Sequence, residues 1–306
     1  MLTRTARERI RLTAIKRDKR RQTLEPWLFL GPGLIVLALF NIFPMIYSLW
    51  VSLHHMDIGA PQLNRFVGLT EYWNDLRNPA FFHALGVTAV IVIATLAVQF
   101  VGGFLIALAL SRSDVPGHKI FASILILPLA ISPLVVGILW RFMLNADFGI
   151  VVYFFHLVGA RVINPIGTPG EAVLSVIVVY SWEWTPLVAL FLYSAMLGLD
   201  RSPFEAAMVD GASPTQTVLK IMIPMLRQIF IILLLLQTVT AFRMFTLVDV
   251  LTAGGPGTTT QTLSYLVWEH GLNYFTMGTA TSMSWIMVVM MSVFAVLFIR
   301  FVKFEV

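Results

Sequence analysis

Residues 27–53, WLFLGPGLIVLALFNIFPMIYSLWVSL, run for 27 positions without a charged side chain. A helix that crosses a bilayer needs about 20 such residues, because hydrocarbon offers no partner to a charge or a free amide. Five further stretches read the same way: one within 81–110, then 120–140, about 172–197, about 228–250 and about 279–299. The third holds 21 uncharged residues, about 32 Å of helix at about 1.5 Å per residue. The fourth carries one acid, Glu183, and the fifth carries Arg243 near its far end. Pro32 and Pro44 are expected to bend the first. Six spanning helices are the expected architecture.

Composition agrees. Only 12% of residues are charged and 58% are hydrophobic. A water-soluble protein averages about 25% charged, so too few polar groups exist here to cover a wet surface. There is no Cys, which excludes disulfides, thiolate metal sites and Cys nucleophiles.

Basic residues set the orientation. Residues 1–21 hold nine Lys or Arg against Glu8 and Asp18, a local balance of +7 within a total of +5. Such an arm invites a nucleic-acid reading, but it stands directly before an apolar run, where a cytoplasmic flank against anionic lipid explains it more simply. The run is also too long for a cleavable signal peptide. With the N-terminus inside, the arm, 111–119, 199–227 and the tail hold 16 Lys or Arg, and the opposite loops hold three: Arg65, Arg77 and Arg161. That asymmetry implies both termini in the cytoplasm. Two outer segments, 149–159 and 260–272, are too short to span and suit interfacial helices or plugs.

The longest internal loop contains EAAMVDGASPTQTVLKIMIP, residues 205–224. Glu205 falls in a first helical turn, where the backbone dipole favours an acid. Ala206 and Ala207 allow another surface to approach closely. Gly211 inside a helix costs about 1 kcal/mol, so it signals a bend, a turn between two short helices, or a tight contact. Ala212-Ser213-Pro214 reads as a turn opening a second helix. By physics alone, a surface amphipathic loop and a docking helix for a cytoplasmic partner both remain open.

The spacing of this segment resembles the EAA loop of permease subunits from binding-protein-dependent ABC importers. That pattern is E-A-A, G four residues after the second Ala, and I-x-L-P ten residues later. Here it falls on Glu205-Ala206-Ala207, Gly211 and Ile221-Met222-Ile223-Pro224, with Ile223 replacing Leu. Asp210-Gly211-Ala212 is similar to the D-G-A of the carbohydrate branch, and 28–52, 66–73 and 251–284 resemble other stretches of the same branch. The resemblance implies an all-α, polytopic type I permease fold in a bacterial inner membrane. It divides the chain into a basic cytoplasmic arm (1–26), a first spanning helix with its outer loop (27–80), and a five-helix core (81–303) holding the coupling loop at 200–227. It further implies a second permease, probably a different chain, two cytoplasmic ATPase subunits binding ATP and Mg, and an extracytoplasmic solute-binding protein. Glu205, Ala206, Ala207, Asp210, Gly211, Ile221 and Pro224 would couple to the ATPase.

Polar groups inside spans are expensive and so mark a pathway. Tyr180, Trp182, Glu183, Trp184 and Thr185 offer aromatic faces for the C–H face of a pyranose and an acceptor for its hydroxyls. Pro186 is expected to break the backbone ladder beside them. The fifth span adds the polar groups Gln237 and Thr240, and Thr240, Arg243 and Met244 lie in 240–245, the stretch that the resemblance places at the cavity. Arg243 would either neutralise an anionic sugar or pair with Glu183 or Asp249, with pairing preferred. The competing reading for the aromatic group is an interfacial belt with a helix–helix hydrogen bond.

The sequence lacks G-x-x-x-x-G-K-[ST] and H-E-x-x-H, and its six His are scattered, so no catalytic residue, metal ligand or cofactor is expected in this chain. Peptide or amino-acid ABC permeases share the EAA loop and are one alternative. An ion-coupled secondary transporter is another, though the internal repeat expected of one is not visible.

Overall fold

A computed structural model of the chain describes residues 30–111, 118–159 and 164–301. The basic arm lies outside the described residues. Among the described residues, fifteen helices account for nearly all regular structure: α1 (Leu30–Ser52), α2 (Thr70–Asp75), α3 (Pro79–Leu110), α4 (His118–Leu125), α5 (Leu127–Ala130), α6 (Pro133–Met143), α7 (Ile150–Leu157), α8 (Pro169–Leu197), α9 (Ser202–Val209), α10 (Pro214–Thr217), α11 (Ile223–Met225), α12 (Arg227–Phe242), α13 (Thr246–Thr252), α14 (Leu263–Trp268) and α15 (Met277–Phe301). A two-stranded antiparallel ribbon, β1 (His54–His55) and β2 (Arg65–Phe66), pairs His54 with Phe66.

Four helices, α1, α3, α8 and α15, are each long and apolar enough to cross a membrane. The expected third span is not one rod. It breaks between Ala130 and Pro133 and turns by 97°. Ser132 is extended (φ −62°, ψ 138°) because the ring of Pro133 excludes the helical region for the residue before it. The expected fifth span also differs. Residues Pro214–Met225 meet α12 at 66°, and α12 ends at Phe242, so Arg243 caps it and α13 begins three residues later. Counting each bent pair as one span gives six.

Prolines elsewhere are absorbed. Five-residue π-turns, Ala38–Ile42 and Val218–Met222, precede Phe43-Pro44 and Ile223-Pro224. The wider turn lets Phe43 and Ile223 bond to carbonyls five residues back, which relieves the clash between a proline ring and the preceding turn. Pro186 sits inside α8, which runs on to Leu197 around it. It removes one amide donor, a loss that spanning helices tolerate.

The packing centres on α8. Half of its apolar window is buried, against 6% for α1, which lies at the periphery. Helices α3 and α8 run together at close range. A Cβ on Gly103 would sit 2.9 Å from Val188 Cγ1 and 3.1 Å from the Ala189 amide nitrogen, so only glycine permits this approach. Two apolar clusters share this pair. One gathers Ile91, Val92, Val176, Val179, Tyr180, Ala241 and Leu247; the other gathers Ala107, Val188, Leu192, Leu226 and Leu233. A third joins the start of α3 to α14 and α15 through Phe81, Leu263 and Met283. There the Leu263 amide donates to Thr88 Oγ1 at 2.8 Å.

Helix α2 clamps the end of α1 to the start of α15. His55 Nδ1 and Glu71 Oε1 are 2.8 Å apart, Thr279 donates to the other Glu71 oxygen, and Ser282 donates to Asp75. Both acids are buried. Burial, opposed in part by the Ser282 bond and reinforced by Glu71, holds the Asp75 carboxyl up at about 6.

Candidate functional site: a coupling turn and a polar pathway

The segment from Ser202 to Met225 forms two short helices around a defined turn. Pro203 occupies the first turn of α9, where its missing amide costs nothing, and Glu205 lies in that same turn. The helix closes at Asp210. Gly211 then takes φ +75°, a left-handed conformation that a Cβ disfavours. Its amide donates to the Met208 carbonyl at 3.2 Å, and the Ala212 amide donates to Ala207 at 2.9 Å. These paired bonds are a Schellman motif. No atom crowds Gly211, so conformation rather than space requires glycine here.

Ser213 next caps α10 in a full capping box. Its Oγ accepts from the Gln216 amide at 3.3 Å, and Gln216 Oε1 accepts from the Ser213 amide at 2.8 Å. The α9–turn–α10 unit is thus fixed by its own backbone, with little help from the rest of the chain. Ala207 faces inward and is buried, whereas Met208 and Val209 stand 67% and 88% exposed. Glu205, Ala206, Asp210, Gly211 and Pro224 are exposed, and Ile221 is half-buried. The turn thus carries an exposed apolar tip.

The pathway candidates fall into two groups. Trp182 is exposed and meets Trp140 of α6 edge to face at 5.5 Å. Arg243 is exposed at the end of α12 and lines an open groove of about 400 Å³ with Ser264, Ser284 and Ser292. Thr240 donates to Leu236, and Thr185 faces Gly102 of α3 across a gap that a Cβ would fill at 3.6 Å. The other group is interior. Tyr180 is buried and tilts against half-buried Trp184 at 6.1 Å, Met244 sits in an apolar cluster, and Glu183 and Gln237 are buried. The expected pairing of Arg243 with Glu183 or Asp249 is not formed. Among the described residues the one ion pair is His55–Glu71. Arg243 sits on the outside of α12, whereas Glu183 is enclosed, so the two cannot meet without rearrangement.

Sequence reasoning missed Gln99. It is fully buried in α3, and neither of its amide atoms has a partner. The signal was present, since Thr88, Thr95 and Gln99 share one face of an otherwise apolar helix at helical spacing. It missed the Glu71–Asp75 clamp as well, because an acid pair in a loop looks solvated.

The family described as "binding-protein-dependent transport system inner membrane component" matches residues 100–304, well over half of the chain. The chain belongs to this family. The permease is 28% identical over 287 residues to the trehalose/maltose transport system permease protein MalF of Thermococcus litoralis, covering 94% of this chain and 96% of that one. It is 30% identical over 285 residues to the sn-glycerol-3-phosphate transport system permease protein UgpA of Escherichia coli (strain UTI89 / UPEC), covering 92% and 95%. Its fold is that of a chain in a bacterial alginate ABC transporter crystallised with an alginate pentasaccharide-bound periplasmic protein, at a TM-score of 0.79 and 20% identity, covering 94% and 96%. A second alginate transporter structure superposes at 0.78 and 22% identity, covering 95% and 99%. The permease is therefore a multi-pass membrane protein with the type I fold.

Proposed function

We propose that this permease forms half of the translocation path of an ATP-driven importer for a sugar or sugar derivative. The observation that carries the reading is the family match combined with the Schellman turn at Gly211, which presents Met208 and Val209 as a rigid apolar tip. The relatives named for trehalose/maltose and for sn-glycerol-3-phosphate support a hydroxylated, carbohydrate-like cargo. In this reading each bent helix pair crosses once, which makes six spans in a bacterial inner membrane, and the basic-residue asymmetry supports both termini in the cytoplasm.

In this reading two cytoplasmic ATPase subunits hold ATP and Mg, and one of them receives the α9–α10 turn. A second permease completes the path, and an extracytoplasmic binding protein delivers the solute. Glu205, Ala206, Asp210 and Gly211 form the docking face, Ala207 packs behind it against the rest of the chain, and Ile221 and Pro224 join it to α12. Closure of the ATPases displaces the turn, and α12 moves with it. Trp182 and Thr240 offer a ring face and a hydroxyl to a passing sugar, and Arg243 offers a cation. Tyr180, Glu183, Trp184, Thr185, Gln237 and Met244 stand behind them and set the shape of the path.

The experiment is reconstitution in vesicles with and without the partner subunits. Uptake is expected only with the ATPases, the second permease and ATP. Accumulation by this chain alone, driven by protons or sodium, overturns the proposal.

A further inference from the structure

We infer that Gln99, Ser181, Glu183 and Gln237 enclose an internal water site at the junction of α3, α8 and α12. Five buried side-chain polar atoms lack a partner among the described residues: both amide atoms of Gln99, Ser181 Oγ, Glu183 Oε2 and Gln237 Nε2. All belong to three helices that pack on one another.

They also lie at one level. On α3, Gln99 falls between Leu96, the last residue packed on the Tyr180 cluster, and Phe100, the first packed on the Leu192 cluster. On α8, Ser181 and Glu183 fall between Tyr180 and Leu187, and on α12, Gln237 falls midway between Leu233 and Ala241. On α3 and α12 the helix therefore changes from one dry cluster to the other at its orphaned polar residue, and on α8 the change, between Trp184 and Leu187, begins one residue after Glu183.

The register brings them together. Gly103 abuts Val188 and Ala189, and Gly102 abuts Thr185, so one turn back along the two helices Gln99 comes level with Ser181 and Trp184. The Phe230 ring lies 6.1 Å from Phe100 and 5.9 Å from Phe104, so Gln237, two turns further along α12, comes level with the α3 residues just before Gln99.

An unmet buried polar atom costs about 1–3 kcal/mol, and the bilayer around the bundle supplies no alternative donor. The five atoms include donors and acceptors, which a water satisfies and a single ion does not. At about three bonds per buried water, two waters meet them all. An acid within a spanning helix is expected to face such a wetted interior. The inference concerns the packing of this chain and holds whatever solute is carried.

The test is radiolytic hydroxyl-radical labelling of the assembled importer in lipid nanodiscs, read by mass spectrometry. Radicals form at bound waters, so Tyr180, buried beside Ser181, is expected to be oxidised several-fold more than Phe81, which is equally buried in a dry cluster. In Gln99→Leu/Ser181→Ala, Tyr180 labelling falls to the Phe81 level. Gln99→Met, which keeps the side-chain length, gives the same direction should the double variant fail to assemble. Wild-type Tyr180 as silent as Phe81 means that the polar atoms meet one another in a dry junction, and it overturns the inference without recourse to any variant.

Discussion

The amide of Ala212 lies 2.9 Å from the carbonyl of Ala207, and this bond sets the distance between the two halves of the E-A-A segment. Ala207 is the third residue from the helix end and Ala212 the second beyond its cap, positions that a Schellman motif always bonds. Glycine must then stand at 211, four residues after the second alanine. What reads in the sequence as a spaced signature is the length of one helix ending.

That geometry makes Gly211 sensitive to backbone conformation and insensitive to volume. A β-branched residue in the left-handed region costs about 1–2 kcal/mol, whereas Asn visits it routinely. Gly211→Val is expected to weaken co-purification of the ATPase subunits and their stimulation by solute, and Gly211→Asn to preserve most of both. Equal losses would mean that a side chain of any kind is excluded there.

The α3–α8 contact offers a matched pair of probes. A Cβ at Gly102 would meet Thr185 Cγ2 at an ordinary 3.6 Å, but one at Gly103 would press on Val188 and on backbone. Overpacking of this kind costs about 1–3 kcal/mol. Gly103→Val is expected to lower the melting temperature of the solubilised chain, and Gly102→Ala, which fits and removes the helical cost of glycine, to raise it slightly. Thermal unfolding followed by intrinsic fluorescence checks both.

Asp75 predicts a pH dependence. Its carboxyl titrates at about 6 in the fold against an ordinary 3.8, because burial disfavours its charge. Below the ordinary value it is neutral in both states, and its stabilising contribution is complete. As pH rises through 4 to 6, the unfolded chain releases the proton first, so folding loses stability until the folded carboxyl also ionises. Asp75→Asn is expected to melt higher than wild type at pH 8 and to converge with it near pH 4. A parallel offset at every pH would assign the effect to the lost Ser282 contact instead.

Arg243 carries an uncompensated cation beside three serines. A hydrogen bond to a charged group contributes about 1.5–3 kcal/mol. Arg243→Gln is therefore expected to reduce uptake of an anionic sugar about tenfold or more while sparing a neutral one, a difference that competition transport assays resolve. A uniform loss would make the residue structural.

Much of this was legible in the sequence. The uncharged runs located the four helices long and apolar enough to span, and the turn at Ala212-Ser213-Pro214 was visible because glycine, serine and proline each fix a known backbone state. The break at 131–132 was less so, since apolar content alone cannot distinguish a straight rod from two short helices at 97°. Pro133 carried the hint, yet Pro186 carries the same hint inside an unbroken helix. The path residues were found by chemistry but not by direction. Trp182 and Glu183 are neighbours in sequence, and one is exposed while the other is enclosed, a division set by packing against α3 and α12. Gln99 escaped because a single amide in a long, mostly apolar helix reads as noise until its surroundings are seen.

The stretch Pro214–Met225 joins α12 at 66°. At that angle a thrust delivered along the shorter piece is spent mostly crosswise to the longer one. In the proposed importer the joint at Leu226 would therefore work as a crank, swinging the far end of α12, where Thr240 and Arg243 stand, instead of driving the helix lengthwise like a piston.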